Sequence, residues 1–369
     1  LGAMLTRVDD PWRDREATVL GVDHNWRPSA RWNVRTRLLG SRIDQAGDAL
    51  QDYGATVWAD YEMDHGWRQQ WIAMHFGNDL QLNDFGYLSR NSTNYLHWEV
   101  RRRFTGLPEA SRYSSKDWRW RVSSNHNNHG EKLNDQFRMS REGQLRDGSY
   151  EYAQINVNSA GISDTLLRGN GIVRLPANLN AYFEYERPRK GNWAHEVEVE
   201  AFGGGLAGNR KLGSAFWYGA TYFINDAFSL NAGLNLVRRP DWLIWQGAAQ
   251  GDLVGAFDGR ETTLRAGLDW NIDPRQELRV KLEAIAISAR AHDAWRFDAA
   301  GHAVAASDTV EDFQVRNLGF QVRYRYELAP LSYLYVVYAR GGYEQLAGTE
   351  GTDDALRDSF SLRNDEQLI

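Results

Sequence analysis

Side chains alternate between apolar and charged residues along most of this 369-residue chain. The clearest segment runs from Leu318 to Leu328. One parity carries only apolar and aromatic residues: Leu318, Phe320, Val322, Tyr324, Tyr326 and Leu328. Because successive side chains of a β-strand point to opposite faces, the segment has one apolar and one charged face. The same pattern returns in roughly a dozen segments, so the chain is predicted to be all-β.

Two architectures bury or shield such apolar faces. A soluble sandwich packs them between two sheets, whereas a membrane barrel turns them towards lipid. The longest apolar run, Tyr333 to Ala339, is far shorter than the ~20 residues of a membrane-spanning helix. The chain also has 15 Trp and 17 Tyr, which are enriched where lipid meets water. We therefore predict an antiparallel up-and-down transmembrane β-barrel of roughly 16 strands, with the sandwich as the alternative.

The two ends of the chain bear on its domain organisation. Leu1-Gly2-Ala3-Met4 does not resemble a signal peptide, and Asp365 to Ile369 looks like the beginning of a strand. We expect one barrel domain over residues 1–369, with residues 1–14 as a linker from an absent upstream domain. The barrel is expected to be incomplete at its C-terminus, because a closed barrel must pair every strand edge in lipid.

The charged parity of the strands predicts which residues line the lumen of such a barrel. These residues are Arg101, Arg103, Arg119, Arg121, Glu196, Glu198, Glu200, Arg265, Asp269, Arg279, Lys281, Glu283, Arg323 and Arg325. Three carboxylates on one strand, Glu196 to Glu200, would repel one another in a dry core, which favours a wet surface.

Sequence motifs for other chemistry are weak. His126 and His129 lie three residues apart among amides, a composition equally typical of a loop tip, so no metal site is predicted. The chain has no cysteine, which excludes disulfides and thiolate metal sites. We find no nucleophile elbow, phosphate-binding loop or dinucleotide fingerprint, and we predict no cofactor and no catalytic set. Its formal charge of -6 gives no reason to expect nucleic-acid binding.

One segment resembles a known family. The run from Phe76 to Asn91, which contains Asn83-Asp84-Phe85-Gly86-Tyr87-Leu88-Ser89-Arg90-Asn91, resembles a motif of bacterial outer-membrane proteins with a C-terminal domain of unknown function. Arg238-Arg239-Pro240-Asp241-Trp242 fits the same barrel domain. Members often carry an N-terminal module similar to family-nine carbohydrate-binding modules, and some are labelled membrane-associated hydrolases. Asn83, Asp84, Gly86 and Arg90 are predicted to form a turn, with Arg90 available to pair with Asp84.

These observations lead to three hypotheses for function. The leading one is a porin-like channel in the outer membrane of a Gram-negative bacterium, in contact with lipid and transporting saccharides or similar polar solutes. The second is an outer-membrane hydrolase, which rests on the family label alone. The third is a structural barrel that anchors a periplasmic carbohydrate-binding domain. An open lumen would favour the channel, and a lumen filled by paired side chains would favour the anchor.

Overall fold

The computed structural model describes residues 1–84, 87–206 and 209–369. The chain divides into two compact units. The N-terminal unit comprises Leu1–Arg141 and Ile155–Ile162, and the C-terminal unit comprises Glu142–Gln154 and Ser163–Ile369.

Long antiparallel strands make up most of both units. The first ten strands are β1 (Gly2–Asp10), β2 (Arg15–Ser29), β3 (Trp32–Gln45), β4 (Asp48–Glu62), β5 (Trp67–Phe76), β6 (Thr93–Phe104), β7 (Tyr113–His126), β8 (Lys132–Leu145), β9 (Tyr150–Asn158) and β10 (Gly161–Ser163).

The remaining strands begin in the middle of the chain. They are β11 (Val173–Leu175), β12 (Asn178–Lys190), β13 (Trp193–Leu206), β14 (Asn209–Phe223), β15 (Phe228–Trp245), β16 (Val254–Asp273), β17 (Gln276–Phe297), β18 (Ala303–Ala305), β19 (Phe313–Ala329), β20 (Ser332–Ala347) and β21 (Asp365–Leu368). An α-helix, α1, spans Thr352–Ser359, and short 3-10 helices span Pro11–Arg13, Asp64–Gly66 and Ala248–Gln250. Within the described ranges, no helix has the length and apolar character needed to cross a membrane.

The N-terminal unit contains a meander in which consecutive strands from β1 to β7 are paired. The register sets apolar side chains in rows across one face. One such row is Val34, Ala59, Trp71, Trp98 and Val122. Large apolar residues on this face are exposed, including Leu38 at 58% and Leu96 at 62%.

The C-terminal unit repeats this design. Consecutive strands from β12 to β17 are paired, and β17, β19, β20 and β21 continue the meander. The row Phe183, Val199, Phe216 and Leu236 crosses one face, and each side chain is between 39% and 45% exposed. The adjacent row on the opposite face is Glu184, Glu198, Trp217 and Asn235.

Both units therefore expose a continuous apolar face. A soluble protein rarely leaves so large an apolar patch in water, because each square ångström costs about 25 cal/mol to hydrate. The arrangement is the one expected where lipid covers one face and water the other. Fully buried apolar residues form only small groups, such as Leu167, Val173, Leu206 and Val254 in the C-terminal unit.

Three details differ from the sequence expectations. The described residues hold 21 strands instead of roughly 16, partly because β8 and β9 are too polar to alternate clearly and because four strands have only three or four residues. Gly2–Asp10, inside the segment expected to be a linker, forms β1 and pairs with β2. The segment from Gly348 to Asp358, whose polar residues are also typical of a loop, contains most of α1, although an all-β chain was predicted.

The helical segment also changes the surroundings of one strand residue. Leu318, expected to face lipid, is only 5% exposed because it packs with Ala284 and Leu362, beside Leu356 of α1. Arg316 lies two positions away and forms ion pairs with Glu344, Glu350 and Asp358. The residues from α1 to Leu362 thus cover the part of the apolar face where β17 and β19 carry Ala284 and Leu318.

Candidate functional site

The predicted polar residues of the N-terminal unit share one face of β6 and β7. Arg101 lies opposite Arg119, and Arg121 lies opposite Glu99. The Nε of Arg101 donates to the Oδ1 of Asp117 at 2.6 Å, and Arg121 donates to the Oε2 of Glu99 at 2.7 Å. Arg103 lies within 3.9 Å of Asp117 as well. All four predicted arginines therefore lie on one face. Asp117 contacts Arg101 and Arg103, and Glu99 contacts Arg121.

A second ionic group lies on the same face of this unit. Asp60 is 4% exposed and accepts hydrogen bonds from Arg68 and Gln70, with Arg35 at 3.3 Å. Trp58 also lies on this face, opposite Arg35 in the register, and the guanidinium of Arg35 is 5.7 Å from the centre of its ring. Buried charges of this kind are tolerated only when they are paired.

The segment with the family motif lies against this charged face. Arg15 donates to both carboxylate oxygens of Asp84, at 3.0 and 2.8 Å. Leu80 is 1% exposed, and its side chain reaches within 2.9 Å of the position that a Cβ on Gly54 would occupy. The amide of Gln81 donates to the hydroxyl of Ser41. The partner of Asp84 is therefore Arg15 rather than the expected Arg90.

Other parts of the predicted turn can be placed only in part. Asn83 accepts a hydrogen bond from the amide of Leu88, and Arg90 donates to the carbonyl of Ser92. Gly86 lies outside the described residues. The pKa of Asp84 is held below its ordinary value, mainly by the hydrogen bonds from Arg15.

The predicted residues of the C-terminal unit also share one face. Arg265 lies opposite Glu283, Asp269 opposite Arg279, and Arg279 opposite Arg323. Arg265 donates to Glu283 at 2.6 Å, and the Nε of Arg279 is 3.3 Å from Asp269.

Glu277, which the sequence analysis did not single out, connects these arginines. It is 5% exposed and forms ion pairs with Arg279, Arg323 and Arg325, the last at 2.9 Å. Only the pairing register could have revealed this role, because β19 lies far from Glu277 in sequence.

Glu196, Glu198 and Glu200 follow one another along the charged face of β13, opposite Glu186, Glu184 and Tyr182. They are half-buried. Glu196 lines a cavity of about 470 Å³ together with Glu186, Trp217, Asn231 and Arg265.

A second cavity of about 590 Å³ adjoins the first. It is lined by Lys281, Glu283, Gln321 and Asp365, and it shares Asn231 and Arg265 with the first. A polar groove therefore runs across β13 to β21 on the charged face.

Trp217 is the aromatic residue of this groove. Its ring lies across Gly219 and Gly233, because a Cβ at Gly219 would meet its Nε1 at 3.4 Å and a Cβ at Gly233 would meet its Cζ2 at 2.9 Å. The guanidinium of Arg265 is 5.2 Å from the ring centre. The indole is thus held flat on the sheet, with Glu196 and Asn231 among the residues that line the same cavity. The sequence analysis did not identify Trp217.

This arrangement offers two kinds of contact in one place. An indole face packs on the apolar face of a ring, while carboxylates, amides and guanidinium groups bind hydroxyl groups. Among the described residues, no three His, Cys, Asp or Glu side chains come close enough together to hold a metal ion.

No family model matches the chain, and no curated protein matches it either. Solved structures do match. The siderophore receptor PirA from Pseudomonas aeruginosa aligns over 94% of this chain and 70% of its own, with 8% identity and a TM-score of 0.51. Outer-membrane expressed OmpT of Vibrio cholerae aligns over 84% of this chain and 100% of its own, with 13% identity and a TM-score of 0.31. The trimer form of in-vitro folded OmpT aligns over 93% and 96%, with 12% identity and a TM-score of 0.34.

The match to PirA carries the fold assignment, since the OmpT scores are too low to support an argument. Identity of 8% says nothing about a shared ligand. The chain is therefore an all-β protein with the antiparallel fold of outer-membrane β-barrels, as the sequence predicted.

Proposed function

We propose that the protein is an outer-membrane pore whose charged face lines the lumen and binds saccharides or similar polar solutes. One observation carries the saccharide part of the proposal, namely the Trp217 ring held flat over Gly219 and Gly233 in a polar cavity. A sugar ring has an apolar face for the indole and hydroxyl groups for Glu196, Asn231 and Arg265.

The pore part of the proposal rests on the contrast between the two faces of the sheet. Apolar side chains such as Val199 and Leu236 are exposed on one face, and charged groups follow one another on the other. The cavities of about 470 and 590 Å³ lie on the charged face of the C-terminal unit and leave room for water and solute.

The test uses the full chain in proteoliposomes, with sugar-driven swelling as a measure of transport and calorimetry as a measure of binding. We expect Trp217→Ala to weaken sugar binding about tenfold, corresponding to a loss of about 1.4 kcal/mol. Trp193→Ala is the matched control, because Trp193 is 47% exposed on the apolar face. Equal binding by both variants would remove the sugar role of Trp217, and wild-type liposomes that do not swell would contradict the pore.

A structural role is the second candidate, and one observation favours it. The charged face of the N-terminal unit carries paired groups, such as Arg101 with Asp117, and is partly covered by the segment with Leu80 and Asp84. If the barrel serves only as an anchor, proteoliposomes that contain it would not swell with any solute, including small ions and the smallest sugars.

A further inference from the structure

Two irregularities flank β16 near the links that join β15 to β16 and β17 to β18. In β15, the register with β16 shifts between Arg239 and Trp242, so Pro240 and Asp241 have no partner in the ladder. In β17, Ala291 pairs with Phe257 and Asp293 with Ala256, which leaves His292 unpaired. Bulges of this kind redirect side chains and are common beside binding sites. Here they bring Asp241 and His292 together, with Oδ1 and Nε2 3.4 Å apart.

Asp241 is a buried carboxylate with few hydrogen-bond donors. Its side chain is 2% exposed, and among the described residues its nearest donors are the backbone amide of Leu206 and the Nε2 of His292, 3.4 Å from Oδ1. The ring of His292 is held elsewhere, since Nδ1 is 2.9 Å from Asp293 and Nε2 is 3.2 Å from the carbonyl of Pro240. Two oxygens of a buried carboxylate can accept more hydrogen bonds than these groups donate, which suggests that a ligand supplies further donors.

The space for such a ligand is a third cavity of about 260 Å³. Asp241 and Lys211 line it, together with Trp242 and the backbone of Gly203, Gly204 and Gly205. The Nζ of Lys211 lies 3.5 Å from the Nε2 of His292, so a cationic donor stands near the carboxylate. Three glycines in a row let a ligand approach the backbone closely.

Trp242 repeats the arrangement of Trp217. Its ring lies over a glycine of the next strand, because a Cβ at Gly259 would come within 2.8 Å of its Cε3. An arginine again accompanies the ring, with the guanidinium of Arg239 at 5.6 Å from its centre. The register places both indoles on the charged face.

We infer that Asp241, Lys211 and Trp242 form a second sugar subsite, in which Asp241 accepts hydrogen bonds from two neighbouring hydroxyl groups. This inference rests on the proposed function and extends it. Trp217 lies opposite Asn235 on β15, and Asn235 and Trp242 pair with Thr263 and Phe257, which are six residues apart on β16, about 20 Å at 3.3 Å per residue. One sugar ring cannot span that distance, so the solute that uses both subsites is a linear oligosaccharide.

The experiment measures binding of linear α-1,4-glucose oligomers of increasing length to the full chain in detergent. For the wild type, affinity should rise once an oligomer is long enough to reach both subsites. Asp241→Asn and Trp242→Ala should each remove that rise, weakening the longest oligomer at least tenfold and leaving the disaccharide unchanged. Asp258→Asn is the control, because this nearby carboxylate lies beside Arg238 and Arg260 and does not line the third cavity.

The possible outcomes separate the two proposals. The second subsite would be overturned if affinity did not depend on oligomer length, on Asp241 or on Trp242. If binding still depended on Trp217, the proposed function would remain intact. No binding of any oligomer by the wild type would overturn the proposed function and the subsite with it. Gel mobility with and without heating shows whether each variant is folded, and Trp242→Ala keeps the test valid if Asp241→Asn does not fold.

Discussion

Trp217 owes its position to two residues that have no side chain. Any Cβ at Gly233 would overlap the indole, so Gly233→Ala would lift the ring away from the sheet. At the scale of single residues, the binding surface of the C-terminal unit is therefore defined as much by Gly219 and Gly233 as by the charged side chains around them.

Val322 and Arg323 are neighbours that test the assignment of faces. Val322 lies opposite Val280 and Tyr338 on the apolar face, whereas Arg323 pairs with Glu277. We expect Val322→Arg to destabilise the folded barrel, because Arg facing lipid near the midplane costs about 2–4 kcal/mol. Arg323→Ala should be tolerated, since Glu277 keeps Arg279 and Arg325.

Heat-modifiability on gels measures this difference directly. The folded, fast-migrating band should decrease for Val322→Arg and remain for Arg323→Ala. Equal tolerance of both substitutions would mean that this face of β19 does not contact lipid.

Alternation alone was sufficient to separate the charged residues from the apolar ones. Arg101, Glu198 and Arg265 each lie on the charged face of their strand, because parity along a strand determines the face without knowledge of its neighbours. Partners could not be predicted in this way. Arg15 and Asp84 are 69 residues apart, and Trp217 rests on glycines of its own and the next strand, so both depend on the pairing register.

The link from β5 to β6 shows how one element can alter a whole face. Its residues Leu80, Gln81 and Asp84 contact β2 to β4 on the charged side, although the sequence predicted only a turn within this link. Arg15 and Asp84 are each 17% exposed, so their hydrogen bonds are partly shielded from water. Hydrogen bonds to charged groups contribute roughly 1.5–3 kcal/mol to the stability of the folded state.

Asp84→Asn should therefore loosen the link and increase single-channel conductance at neutral pH. Asp79→Asn is a matched control, since it changes the same charge in the same link at an exposed position. Conductance that stays constant in Asp84→Asn would show that the link does not limit passage.

The same contact predicts a dependence on pH. Arg15 lowers the pKa of Asp84, so the ionised pair stabilises the folded link at neutral pH. This contribution is lost only as the pH falls through the lowered pKa, below the ordinary value of about 4. As the pH is lowered below 4, wild-type conductance should shift towards that of Asp84→Asn, and the variant should change little over the same range.

For the whole molecule, the decisive property is the contrast between two faces that both remain exposed. The chain has no cysteine, so single cysteines can carry a spin label at chosen positions. Val199 and Glu198 are adjacent in sequence and point to opposite faces of the sheet. Val122 and Arg121 form an equivalent pair in the N-terminal unit.

In lipid bilayers, labels at Val199→Cys and Val122→Cys should collide preferentially with oxygen, which dissolves in the acyl chains. Labels at Glu198→Cys and Arg121→Cys should collide with a water-soluble nickel complex instead. Similar accessibility at both members of a pair would contradict a lipid-facing surface in that unit.

The groove of the C-terminal unit crosses the strands along a row that contains only charged residues and pairs of glycines: Glu196, Gly219, Gly233, Arg265, Glu283, Gly319 and Gly341. Gly319 differs from the two glycines beneath Trp217, because a Cβ there would meet no atom within 4 Å. Side chains of graded size at this position would enter free space without straining the backbone. The width of the groove can therefore be changed by the choice of residue at position 319. A larger side chain there would lower the size limit for the solutes that enter the groove.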